Sequence, residues 1–138
     1  MDKLYEKIIE LLETLPEIKY IDLDYGQLQE EMPPLSYPAV LVRISEDRVD
    51  IHHMYQQVTG NITLTVIDKL KSETNNITSE EQRKKGIAYM QLNEKIHKAL
   101  QGYKDKTYEP FTNKSKSDQL IRKGAKTVVQ QWETAWKD

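Results

Sequence analysis

The sequence predicts an α+β domain: a mainly antiparallel sheet of about four strands with two helices packed on one face, in the order α-β-β-β-α-β. Three patterns carry this expectation. Apolar residues recur at intervals of three and four near the start and again beyond residue 79, as amphipathic helices require. The run PAVLVRI at residues 38–44 is nearly all apolar, as in a strand covered on both faces. Residues 58–67 alternate apolar and polar, as in a strand with one face in the core. At 138 residues the chain fits one such domain, spanning 1–138.

The first helix is expected from Asp2 to Thr14, where Leu4, Ile8, Leu11, Leu12 and Leu15 share a face and Pro16 ends the run. IKYIDL at residues 18–23 is β-branched and aromatic and predicts a strand. Gly26, Pro33 and Pro34, among acids and amides, make residues 24–37 a loop. Pro38 is tolerated at the first position of the central strand. That strand pairs with residues 58–67 as an antiparallel hairpin. Between them, residues 46–57 also alternate, with Val49, Ile51, His53 and Tyr55 on one side and Arg48, Asp50, His52 and Met54 on the other. The hairpin arms should therefore continue past the core into a ribbon or bulged loop that a monomer cannot cover.

A polar connection leads to a second, long helix, with a capping box from Ser79 and Gln82 or from Thr78 and Glu81. Ile87, Tyr89, Met90, Leu92, Ile96, Ala99 and Leu100 form its apolar side, and Gly102 stands where a left-handed C-cap belongs. Residues 103–123 predict a long loop with at most a short edge strand, because Tyr108, Phe111, Leu120 and Ile121 are scattered among polar residues. TVVQQWETAW from Thr127 is the last strand, with Val128, Trp132 and Trp136 on one parity. One tryptophan is expected in the core and the other near an edge.

Composition narrows the chemistry. The chain has no cysteine, which excludes disulfides, thiolate catalysis and cysteine-ligated zinc. Its net charge of -2 offers a polyanion no general attraction. No stretch is an apolar signal or a bilayer span, so synthesis in the cytosol is expected and a membrane is not. Gly26, Gly60, Gly86, Gly102 and Gly124 are isolated, so no glycine-rich phosphate loop exists. His52 and His53 are adjacent and on a strand would point to opposite faces, which argues against a shared metal. Asp22 and Asp24 share strand parity, and a cation-dependent enzyme built on that pair is one alternative. A nucleic-acid-binding module working through Lys104, Lys106, Lys114, Lys116, Arg122, Lys123 and Lys126 is another. No catalytic, metal or cofactor-binding residue is assigned.

The helix LYEKIIELLETLP, the segment YIDLDYGQLQEEMPPLSYPAVLVRI with its proline-led strand, the strand GNITLTVID, one long helix and a final strand together resemble the tail terminator and tail-completion (head-tail joining) proteins of long-tailed bacteriophages and prophages. The resemblance covers most of the chain as an order of elements. It implies a non-enzymatic virion subunit without a cofactor, made in the bacterial host cytoplasm. Such a subunit forms a homo-oligomeric ring, typically a hexamer, that caps the tail tube and meets the head connector. Nucleic acid is then a partner only in passing through the ring lumen. Val49, Ile51, Met54 and Tyr55 would supply the subunit contact by burying the apolar side of the extended hairpin. The acidic loop at Glu30 and Glu31 and the basic loop at Lys114 and Lys116 are candidates for setting register or facing the lumen.

Overall fold

The computed structural model describes residues 1–30, 33–69, 79–119 and 125–138. Helix α1 (Asp2–Leu12) places Leu4, Ile8 and Leu12 on its buried face, and it ends two residues earlier than its apolar pattern predicts, in the turn that precedes Pro16. Strand β1 (Tyr20–Leu23) follows, then a 3-10 turn at Gln27–Gln29. Strands β2 (Ala39–His52) and β3 (Tyr55–Lys69) form one long hairpin, helix α2 runs Ser79–Leu100, and strands β4 (Thr112–Gln119) and β5 (Ala125–Lys137) complete the chain.

The sheet has five strands in the order β1-β2-β3-β5-β4, one more than expected. The element order becomes α-β-β-β-α-β-β, and β1 pairs with β2 in parallel while the other ladders are antiparallel. The additional strand is β4, placed where a loop with a short edge strand is predicted. Its sequence TNKSKSDQ gives no apolar alternation because an edge strand with little packed against it has no core face to record in sequence.

Both helices lie on one face of the sheet. Leu4, Ile8 and Leu12 of α1 and Tyr89, Leu92, Ile96 and Leu100 of α2 meet Val40, Val42, Ile62, Leu64, Val66 and Trp132. Tyr108 and Phe111, which look like scattered loop apolars, close the same core, with Phe111 edge-on to both Tyr103 and Tyr108. Among the described residues the opposite face is covered at one end, where Leu28, Leu35 and Tyr37 fold back onto Ala39, Leu41 and Ile67. Residues 39 to 42 are therefore fully buried on both faces, as PAVLVRI predicts.

Several polar groups inside the core are matched, although the buried Thr127 hydroxyl is not. Gln130 donates to Asn93 Oδ1 at 3.0 Å and accepts from Trp132 Nε1 at 3.0 Å, while Asn93 donates to the Tyr89 carbonyl at 3.0 Å. The Tyr89 hydroxyl donates to the Val66 carbonyl at 2.7 Å, and burial raises its pKa above the ordinary tyrosine range.

Candidate assembly surface

The hairpin carries the surface that most needs explanation. The β2–β3 ladder continues from Ala39 paired with Ile67 to His52 paired with Tyr55, so residues 46–57 are strand, turn and strand, without an irregular loop. At ~3.3 Å per residue, the 14 residues of β2 span ~45 Å. The first part lies over the helices, exposure alternates from Arg43 to Glu46, and every residue from Asp47 to His52 is exposed. Near the tip Val49 is 67% exposed, Ile51 56%, Met54 71% and Tyr55 57%. Four large apolar side chains gathered on one projecting arm form the kind of patch that a soluble monomer seldom leaves open.

The arm is held straight by polar contacts at its base. Arg48 donates to Glu46 Oε2 at 2.8 Å, to Gln56 Oε1 at 3.0 Å and to Asp138 Oδ2 at 2.7 Å. The Arg48 hydrogen bond holds the Glu46 carboxyl below the usual range, and the bonds to Asp138 and Glu46 raise the guanidinium further. Asp138 also extends the β5 ladder by exchanging both backbone hydrogen bonds with Gln56. A register shift between Asp50 and His52 marks a bulge that adds twist just before the turn. That turn also brings the imidazoles of His52 and His53 together, with ring centroids 4.0 Å apart, so the expectation of opposite faces fails at this point. His53 has left the strand, and alternation no longer applies to it. Among the described residues no group of three potential ligands surrounds a common point.

The remaining candidate residues are placed as follows. Lys114 and Lys116 lie on β4 and not in a loop; Lys116 Nζ is 3.3 Å from Glu94 and Lys114 Nζ 3.9 Å from Glu133. Lys126 pairs with Asp118. Three of the lysines of the basic segment are thus matched by carboxylates of the same chain. Glu30 is exposed at the end of the 3-10 turn, and Glu31 lies outside the described residues, as do Thr78, Leu120, Ile121, Arg122 and Lys123.

Asp22 and Asp24 each serve local structure. Asp22 accepts from the Tyr20 hydroxyl at 2.8 Å, which pushes the Tyr20 pKa up to about 12, and from its neighbour's amide, Leu23 N, at 2.8 Å. Asp24 Oδ1 accepts from Gly26 N at 3.1 Å, and Asp24 Oδ2 lies 3.6 Å from Arg43. A groove of about 270 Å³ between α2 and β4–β5 is floored by Tyr89, Met90 and Val128 and rimmed by the Lys116 and Lys126 ion pairs. It brings together no nucleophile and base. Ile87 and Met90, expected on the apolar side of α2, are 49% and 66% exposed. No described helix is long and apolar enough to cross a membrane.

Sequence reasoning finds the arm from its alternation alone. It misses the sheet edges that no strand covers among the described residues, because hydrogen-bonding capacity left open on a backbone has no signature in side chains. No protein-family model matches the sequence, and no curated protein matches it. A chain of the virion of a native gene transfer agent particle is similar in structure over 95% of this chain and 84% of its own length, with 11% sequence identity and a TM-score of 0.45, too shallow a likeness to support an inference.

Proposed function

We propose that this chain is a non-enzymatic structural subunit of a phage or prophage tail, which assembles as a homo-oligomeric ring to cap the tail tube and join it to the head connector. The hairpin arm carries this reading: Val49, Ile51, Met54 and Tyr55 stand exposed beyond the core, and burying them against a neighbour removes their apolar surface from water. Aromatic residues and methionine are enriched in the centres of subunit interfaces, which suits Tyr55 and Met54. The order of elements that resembles tail terminators supplies the place in the virion and the ring, with a hexamer as its usual size. On this reading the subunit is made in the host cytoplasm and ends in the virion, and DNA meets it only within the lumen.

The alternatives lack such support. The carboxylates of Asp22 and Asp24 are occupied by Tyr20, Gly26 and Arg43, and the lysines of β4 face carboxylates of their own chain. Negative-stain electron microscopy of the purified protein, alone and mixed with polymerising tail-tube protein, tests the proposal. Annular particles and tubes of arrested length are expected. Particles of single-subunit size together with tubes that grow unchecked would overturn it.

A further inference from the structure

The two edges of this sheet differ, and among the described residues neither is paired with a further strand along its whole length. Strand β1 covers β2 only over residues 39–42, with Asp24 N donating to the Val42 carbonyl as the last contact. Among the described residues, no strand pairs with the outer side of β2 over residues 43–52. On the far side, β5 is the strand that pairs with β4 among the described residues; Asn113 N donates to Gln101 Oε1 at 3.0 Å, and the residues of β4 are exposed except for a half-buried Asn113. A long free edge is a template for another strand, and monomeric proteins guard such edges with lysine or proline. The stretch SEDRVDIH at residues 45–52 contains neither, with Arg48 turned toward Glu46 and Asp138, whereas β4 carries Lys114 and Lys116, both drawn back toward carboxylates of their own chain, Glu133 and Glu94. The charge of that stretch is -2, from Glu46, Asp47 and Asp50 against Arg48, whereas β4 carries +1, from Lys114 and Lys116 against Asp118.

We propose that the free edge of β2 in one copy adds to the free edge of β4 in the next copy, so that the sheets join head to tail around the assembly. This deepens the ring reading above and rests on it. Strand directions permit the junction: β2 is antiparallel to β3, β3 to β5 and β5 to β4, so β4 runs opposite to β2. Two copies related by rotation, with their sheets facing the same way, therefore bring β2 and β4 together as an antiparallel ladder, the more stable kind. Because unlike edges meet, the contact is heterologous and closes as a ring if the rotation allows.

The register fixes the inclination. Through β5 and β3, Thr112 lies level with Ser45 and Gln119 with Ala39, so β4 sits about seven residues below the free part of β2. That offset is ~23 Å along the strands against ~19 Å across four strand spacings, which inclines the strands by about 50° to the ring axis. Strands in closed barrels tilt by ~35–45°, so this inclination is slightly steeper than theirs. Val49 then lies beside the Ser115–Ser117 side of the neighbouring β4, on the sheet face away from the helices.

The absence of cysteine makes the test clean, since any disulfide must come from introduced residues. D47C or V49C on β2 is combined with S115C or S117C on β4, all on one face, and the protein is oxidised at assembly concentration. Within one chain these positions are three strand spacings apart, ~14 Å, too far for a disulfide. At least one double variant should give a ladder of disulfide-linked species that ends at a single closed oligomer and collapses to monomer when reductant is added, while each single variant stays uncrosslinked. Dimerisation of D47C or V49C alone would show that like edges meet and would overturn the proposal. An oligomer that persists by light scattering, with no pair crosslinking, would end strand addition and leave the ring reading standing. A strict monomer would end both.

Discussion

Gly60 sits where the hairpin leaves the core, and a Cβ there would lie 2.7 Å from Trp136 Cζ3 and 3.0 Å from Leu4 Cδ2. Both neighbours are held in the core cluster, so neither moves aside freely. Gly60→Ala should destabilise the fold by about 1–3 kcal/mol, as overpacking does, measured by urea unfolding. Trp136 is half-buried over this glycine and edge-on to Tyr108, while Trp132 is buried, which matches the division expected between core and edge. Asn93 offers a second residue-scale test. Asn93→Ala removes the closer acceptor of the Gln130 amide, leaving it the residue 93 carbonyl at 3.5 Å, and should cost about 1–3 kcal/mol in the same measurement.

Asp105 links a residue to pH. Its carboxylate accepts from Tyr108 N at 2.8 Å and Thr107 N at 2.7 Å, and these backbone bonds, Tyr108 first, lower its pKa. A carboxyl whose folded pKa is depressed contributes stability above its unfolded value, about 4, and loses it as pH falls through the lower folded value. Asp68 works the other way: burial raises its pKa, so its desolvation weakens the fold at neutral pH and is relieved on protonation. Asp105→Asn should lower stability at pH 7 and flatten the loss of stability below about pH 4, followed by thermal melts across pH. A mutant with the acid limb of the parent would remove Asp105 from this role.

Among the elements, α1 is held by packing. Ile8 is fully buried between the sheet and α2, and Ile8→Ala should cost about 2–5 kcal/mol, with the cavity adding to the lost burial. The tip of the hairpin should behave oppositely. Val49→Ser and Ile51→Ser change exposed side chains and should alter monomer stability by no more than about 0.5 kcal/mol. The elements legible in the sequence leave an apolar mark: a repeat in α1, β3, α2 and β5, an unbroken run at the start of β2, and β-branched and aromatic residues in β1. β4 does not, because its exposed residues are set by bonding to β5 and by their place at the edge. Phe111 and Tyr108 were equally hidden, since two apolar residues arriving at the core from a connection leave no period to detect. The arm was legible as alternation, and its exposure is the observation that the sequence pattern anticipates.

For the whole molecule, the sheet is asymmetric in a useful way. One face is filled by two helices, the other is covered, among the described residues, where Leu28, Leu35 and Tyr37 fold back, and the arm reaches away from both. A domain that has closed its core this thoroughly has no internal need for four exposed apolar side chains at the end of a ~45 Å hairpin. Assembly gives them a use, and it explains why the surface of interest lies on rigid strands and not in a cleft. Size-exclusion chromatography with multi-angle light scattering tests this most directly, run on the parent protein and on the V49S/I51S variant. The parent should elute as a defined oligomer and the variant as a folded monomer with an unchanged melting temperature. A parent that is monomeric at high concentration, or a variant that keeps the parent's mass, would contradict the account.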